Sequence, residues 1–323
     1  MDNITHSLIG ALIGQTGLKK LSGLGMPTLI IAANIPDIDA ACFLWLEGTE
    51  HLGFRRGITH GPLAMLILPL LLTAAMVGFD RWQARRGKRP ATRAAVRFGS
   101  LYLLALIGTL SHPAFDWLNN YGVRLLEPFS SRWFYGDSIF IIDVWMWAIL
   151  IGGLVWSRLA EKRDARWRLI ASVAAACLLS YIALNIHISR AAIASVVAVT
   201  CSDGDAEQSC GVTSAVASAP PGGLFFSYRD VYWRTADEVG WMQYAWPYGV
   251  QDIQEWGSIG MDDPRIAAAA RGDPQVRAFL FWSRMPFAEG EADGTIVLRD
   301  QRFTNPLTGD RFKVRIAPAP PPR

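Results

Sequence analysis

Seven ionisable residues in the N-terminal half lie in or beside long apolar runs: His6, Asp37, Asp39, His60, His112, Asp116 and Asp143. A charge at the middle of a membrane helix costs at least ~2.5 kcal/mol, so such groups tend to face a bundle interior and to serve a function. Neutral imidazole combined with carboxylate suits Zn²⁺, Mn²⁺ or Fe²⁺, whereas thiolate-rich and all-oxygen sets favour other ions. The expected cofactor is therefore a divalent transition metal, zinc foremost, with manganese and iron as alternatives. His6, Asp39, His60, His112 and Asp116 are the candidate ligands, Asp37 a candidate second ligand or general base, and Asp143 an additional candidate. Taken singly, each His also fits a helix cap and each Asp an interfacial polar residue. A buried proton or ion pathway is the competing reading of the set.

Local sequence indicates how each group is presented. Ile4-Thr5-His6 and Ile58-Thr59-His60 repeat one tripeptide ahead of an apolar run, with Thr suited to capping and Pro62 to a first helical turn. In Asn34-Ile35-Pro36-Asp37-Ile38-Asp39, Pro36 lacks a backbone donor and blocks the bond four residues back, so the span is predicted to break there. Such irregular backbone at membrane depth is tolerated only where it is buried or lines a wet cavity. His112 and Asp116 are four apart, one turn along a helical face, with Pro113 between them predicting a kink or a fresh helix start. At ~1.5 Å per residue, His112, Asp39 and Asp143 all fall in the outward half of their spans, the level at which His60 begins its own.

The elements that must position these groups are apolar segments at Pro27–Leu46, Pro62–Phe79, Phe98–Leu110, Ser138–Trp156 and Leu169–Ile188. Several approach the ~20 residues needed to cross a ~30 Å hydrocarbon core. Ile4–Leu18 is shorter and reads as a half-span or re-entrant segment. It does not read as a signal peptide, because no positive charge precedes it and Lys19 and Lys20 follow it. Composition agrees: 51% of the 323 residues are hydrophobic and 18% charged, against about 25% charged in soluble domains. Residues 1–187 carry 18 Lys and Arg against 12 Asp and Glu, and the remainder 13 against 16, so two unlike regions are joined. Arg and Lys concentrate in 80–97 and 157–168, as in cytoplasmic loops; loops 47–61 and 111–137, and everything after about Ile188, are then expected outside.

That outward region, 188–323, reads as a linker over 188–223, a small β-rich domain over 224–317 and a Pro-rich tail over 318–323. Leu224–Arg234, Trp241–Tyr248, Val276–Arg284 and Thr295–Phe303 are aromatic or β-branched strand candidates. Asp262-Asp263-Pro264 predicts a capped helix start, and 211–223 a flexible connection. Cys201 and Cys210 are close enough to close a disulfide loop in an oxidising compartment, whereas Cys42 and Cys177 read as packing residues. The fold class is thus an all-α polytopic membrane domain of about five to six helices, one broken or re-entrant, followed by a small β-rich periplasmic domain.

The strings D-N-I-T-H-S-L-I-G-A, N-I-P-D-I-D, R-R-G-I-T-H-G-P-L and S-H-P-A-F-D-W-L-N-N-Y-G, in that order, resemble the LexA-regulated, inner-membrane metal-dependent hydrolases, the YdjM-like family. The resemblance covers about the first half of the chain. It places Thr5-His6, Pro36-Asp37, Asp39, Arg56-Gly57, Thr59-His60, His112 and Asp116 on motif positions and implies a hydrolytic metal role for the His and Asp members. A more distant similarity is to zinc-dependent phospholipase C and single-strand nucleases, which use His and an H-x-x-x-D pair around clustered zinc. Arg55 stands where the resemblance leads one to expect a His, so one ligand of the family pattern is missing or replaced.

The resulting expectation is a multi-pass metal-dependent hydrolase of a bacterial inner membrane, its site opening to the periplasmic face. Arg55 and Arg56, four to five residues before His60, have the guanidinium fork that pairs with phosphate oxygens, which points to a phosphoester or phospholipid head-group substrate. They fit equally the neutralisation of lipid head groups at the interface. Membrane lipids are the expected partners. Without a Gly-rich phosphate loop, a nucleophile elbow or a zinc-ribbon pattern, NTP-driven chemistry, serine hydrolysis and direct nucleic-acid binding have no support. The alternative is a transporter or structural membrane protein whose buried His and Asp relay protons or stiffen the bundle.

Overall fold

The computed structural model describes residues 1–200, 211–304, 308 and 311–318. Cys201, Cys210 and the last five residues of the Pro-rich tail lie outside them. The chain forms two compact units, one of residues 1–38, 56–186 and 221–224, the other of residues 39–55, 187–220 and 225–323.

The first unit is helical. Helix α1 (Asn3–Gln15) is 13 residues long, about 20 Å, too short to cross a bilayer core alone. Asp2 starts it by accepting from the amides of Ile4 and Thr5. Helix α2 (Gly25–Ala32) gives way to a 3-10 segment, Ile35–Leu44, bent by 48° from it, at the break predicted around Pro36. The short α3 (Glu50–Phe54), which belongs to the second unit, precedes a 3-10 turn, Ile58–His60, and α4 (Pro62–Arg85). Helices α5 (Phe98–Asp116), α6 (Val144–Lys162) and α7 (Trp167–Thr200) follow. Among the described residues four helices are long and apolar enough to cross a membrane, five if the bent pair is one span. Leu66, Ile67, Leu70 and Leu71 on α4 are each about half exposed, a surface matched to hydrocarbon and costly in water.

Pro113 does not break α5. It falls in the last turn of a helix that runs on through Asp116, so the bond it cannot give and the crowding of the Thr109 carbonyl fall near the end of α5. Close packing around α2 depends on two glycines: a Cβ at Gly10 would meet the Leu29 carbonyl at 2.6 Å, and one at Gly108 would meet Ala32 Cβ at 2.7 Å. α1 and α5 thereby approach α2 at near-backbone distance, which brings their polar side chains within reach of the Pro36 break.

The second unit carries an antiparallel four-stranded sheet of β1 (Ser214–Ser218), β2 (Tyr228–Arg234), β3 (Glu238–Ala245) and β4 (Gly249–Ser258), in that order. Helices α8 (Pro264–Gly272) and α9 (Pro274–Trp282) precede a three-stranded antiparallel sheet of β5 (Pro286–Gly290), β6 (Ile296–Asp300) and β7 (Lys313–Ile316). Two expectations are corrected here. Residues 214–218, inside the stretch read as flexible, form β1, because Val216 and Ala217 are fully buried and Val216 packs with Tyr232 and Met285. Val276–Arg284 is helical through Trp282: Asp273 caps its start, Pro274 takes the first turn, and Val276, Phe279 and Trp282 recur every three residues as one fully buried stripe.

The charge centre of this unit is Asp300, fully buried with Arg302, whose Nε lies 2.8 Å from the carboxylate. The amides of Arg284 and Met285 also donate to it. Burial alone would raise its pKa, but Arg302 and these donors hold it below the usual carboxylate range. A depressed folded-state pKa stabilises the fold above the unfolded value near 3.9, and that contribution is lost as pH falls through the folded value. Asp300→Ala strands a buried guanidinium and is expected to cost about 3–5 kcal/mol. Limited proteolysis of the full chain reads this as earlier cleavage within 211–318; unchanged protection would refute it.

Candidate metal centre

Four side chains delivered by separate segments meet in the first unit. Asp37 comes from the 3-10 segment after α2, His60 from the turn before α4, and His112 and Asp116 from the last turns of α5. Each offers one ligand atom, and these atoms lie within 4.8 Å of one another. His60, His112 and Asp116 are buried, and Asp37 is the least enclosed, its side chain 8% exposed.

His112 is the best-defined member. Its Nδ1 donates to the Ala33 carbonyl at 2.7 Å, and in the neutral ring this fixes the tautomer that leaves Nε2 with the lone pair. Nε2 makes no hydrogen bond and points at carboxylate oxygens, 3.5 Å from Asp116 Oδ2 and 3.8 Å from Asp37 Oδ1. A lone pair facing two acceptors in a buried site calls for a positive group between them. The Pro36 break explains why the Ala33 carbonyl is available. Pro36 has no N–H to give it, and the Asp37 amide turns to the Asn34 carbonyl instead.

The remaining partners are of the same kind. His60 Nε2 lies 3.5 Å from Asp116 Oδ2, and its Nδ1 is 3.0 Å from the Thr59 hydroxyl. His6 stacks on His112, rings 3.8 Å apart and 19° from parallel, with Nε2 3.3 Å from Asp116 Oδ1. The Met1 amino group also contacts Asp116 Oδ1. Arg56 approaches both carboxylate oxygens of Asp116, at 3.0 and 3.2 Å. It is held there by Asn119 Oδ1, the Gly122 carbonyl and the face of Tyr121, and its own φ of 53° is a left-handed conformation that costs a non-glycine residue energy. Asp116 is thus the hub of the cluster.

The structure brings together six of the candidate residues: Asp37, His60, His112 and Asp116, with His6 stacked on His112 and Arg56 paired with Asp116. It does not bring in the others. Asp39 pairs with Arg55, Oδ1 to Nε 3.5 Å, and Arg55 also lies over Phe43. Asp143 caps α6 through the Met146 amide and accepts from Tyr181. Asn119, Tyr121 and Gly122, not singled out as site residues, lie three to six positions after Asp116 in the motif that holds it.

Two imidazoles and two carboxylates form a nitrogen–oxygen donor set that fits a divalent transition metal, and the unpartnered Nε2 of His112 is the observation in its favour. Apolar helices around a buried His and Asp cluster define a membrane protein with a candidate metal site. The chain belongs to the YdjM inner membrane protein family, whose model matches residues 1–189. No curated protein and no solved structure matches it.

Proposed function

We propose that this protein is a metal-dependent hydrolase of the bacterial inner membrane that cleaves phosphoesters, phospholipid head groups among them. The observation that carries this reading is His112, locked by Ala33 with its free nitrogen facing Asp37 and Asp116. Asp37, His60, His112 and Asp116 would hold the ion. A bound divalent cation supplies Lewis acidity and a water ionisable near neutral pH.

The protein's own groups supply the rest. Asp37, the least enclosed carboxylate, would use the oxygen not spent on the ion as general base, accepting the proton released as water attacks phosphorus and returning it to the departing ester oxygen. Arg56, fixed beside Asp116, adds the positive charge that favours an anionic phosphate-bearing substrate. His6 walls off the far side of His112 and Asp116 and keeps them dry.

Purified protein should hydrolyse a phosphodiester or phospholipid in the presence of zinc or manganese, lose that activity to a chelator and regain it with one added metal. Indifference of any hydrolysis to chelator would overturn the reading. The orientation we propose follows the basic loops: a reporter fused after Arg86 should be cytoplasmic and one after Gly223 periplasmic, and the reverse pattern would invert it.

A further inference from the structure

A second polar cluster lies in the first unit at the basic end of the bundle, where the 3-10 turn Leu18–Lys20 after α1 meets the start of α7. Trp167, the first residue of α7, is 8% exposed, and its carbonyl accepts from Ser157 at 2.8 Å. Three cations crowd its ring: Lys19 Nζ at 4.7 Å, Lys20 Nζ at 5.0 Å and Arg168 Cζ at 5.2 Å from the centroid. Glu161 neutralises Lys19. Among the described residues Lys20 and Arg168 have no carboxylate partner, and both are exposed. Two uncompensated charges held over one indole, beside the positive end of a helix, form an anion site with an apolar floor.

One residue further along α7 a groove of about 380 Å³ opens between α6 and α7. Ile149, Gly153, Trp156, Leu169, Ile170 and Val173 line it, almost without polar surface. It opens away from the bundle, since Trp156 is 67% exposed and Val173 53%. A narrow apolar channel that starts next to an excess of positive charge matches one kind of molecule, with an anionic head and a hydrocarbon tail.

We propose that this corner is a binding site for an anionic phospholipid, its phosphate held by Lys20 and Arg168 over Trp167 and one acyl chain lying in the α6–α7 groove. The site is separate from the His and Asp cluster and independent of any hydrolytic role. A head-group interaction with basic residues near a membrane surface is worth about a fivefold factor per charge.

The test uses delipidated full-length protein in detergent and native mass spectrometry with four probes: dioleoyl phosphatidylglycerol, its dihexanoyl analogue, dioleoyl phosphatidylcholine and inorganic phosphate. The dioleoyl phosphatidylglycerol should bind best. Replacing both Lys20 and Arg168 by Ala should weaken it roughly 30-fold, while Arg81→Ala with Arg85→Ala, which removes the same charge from α4, should change it less than twofold. Val173→Trp, which fills the groove, should abolish the preference for the long-chain lipid over the short and leave head-group selectivity in place. Helical circular dichroism without lipid verifies that each variant is folded, and Lys20→Gln alone, expected to weaken binding about fivefold, replaces the double variant if that one is not. Equal binding of phosphatidylcholine, equal binding of inorganic phosphate, or equal losses in the two double variants would overturn the proposal.

Discussion

Asp116→Ala is expected to leave the protein with less than a tenth of the wild-type metal and to destabilise the helical unit by about 3–5 kcal/mol. The two effects have one origin. Asp116 is a ligand candidate and also the carboxylate that Arg56, His6 and Met1 all address, so its removal strands a guanidinium in a buried site. Asp116→Asn keeps the volume and one acceptor but not the charge, and should recover part of the stability and little of the metal. Thermal unfolding in detergent, followed by metal analysis of the folded fraction, separates the two. A variant that melts like wild type would contradict the hub role.

His112→Ala should weaken metal binding beyond the 10- to 100-fold loss typical of a partner that only orients a ligand. The expected loss of stability is smaller than for Asp116→Ala, because no buried guanidinium is stranded; the unmet Ala33 carbonyl costs about 1–3 kcal/mol. Competition against a chelator of known affinity gives the number. His6→Ala is the contrast: it removes a stacked neighbour outside the group of four, and should fall within that range or below it. Equal losses in the two variants would mean that the ring stack, and not His112 Nε2, sets the affinity.

Much of this site could be read in the sequence because the information was local. The four-residue spacing of His112 and Asp116 puts both on one helical face, and it does so whether or not Pro113 bends the helix. Pro36 announced a break, and the break both presents Asp37 and frees the Ala33 carbonyl. Repetition of Ile-Thr-His marked His6 and His60, each next to a helix start. What was illegible was long-range. Nothing near Arg56 in sequence indicates that it turns to Asp116 sixty positions away, and nothing near Asp39 reveals whether Arg55 or an ion claims it. The strand expectation for Val276–Arg284 fails for a different reason. Their aromatic and β-branched content suits a strand, yet Asp273-Pro274 repeats the helix start that Asp263-Pro264 also provides, and the three-residue recurrence of Val276, Phe279 and Trp282 outweighs composition. β1 was hidden because Ser214–Ser218 is made of small residues whose alternation is weak, and only its pairing with β2 reveals it.

The most direct test of the metal centre is the ion content of full-length protein purified without chelator, determined by elemental mass spectrometry for the wild type and for a variant with both His60 and Asp116 replaced by Ala. A buried site built from Asp37, His60, His112 and Asp116 predicts a transition metal close to stoichiometric in the wild type and nearly absent from the variant. A metal-free wild type that takes up no added zinc, manganese or iron, or a variant that retains as much ion as the wild type, would contradict it.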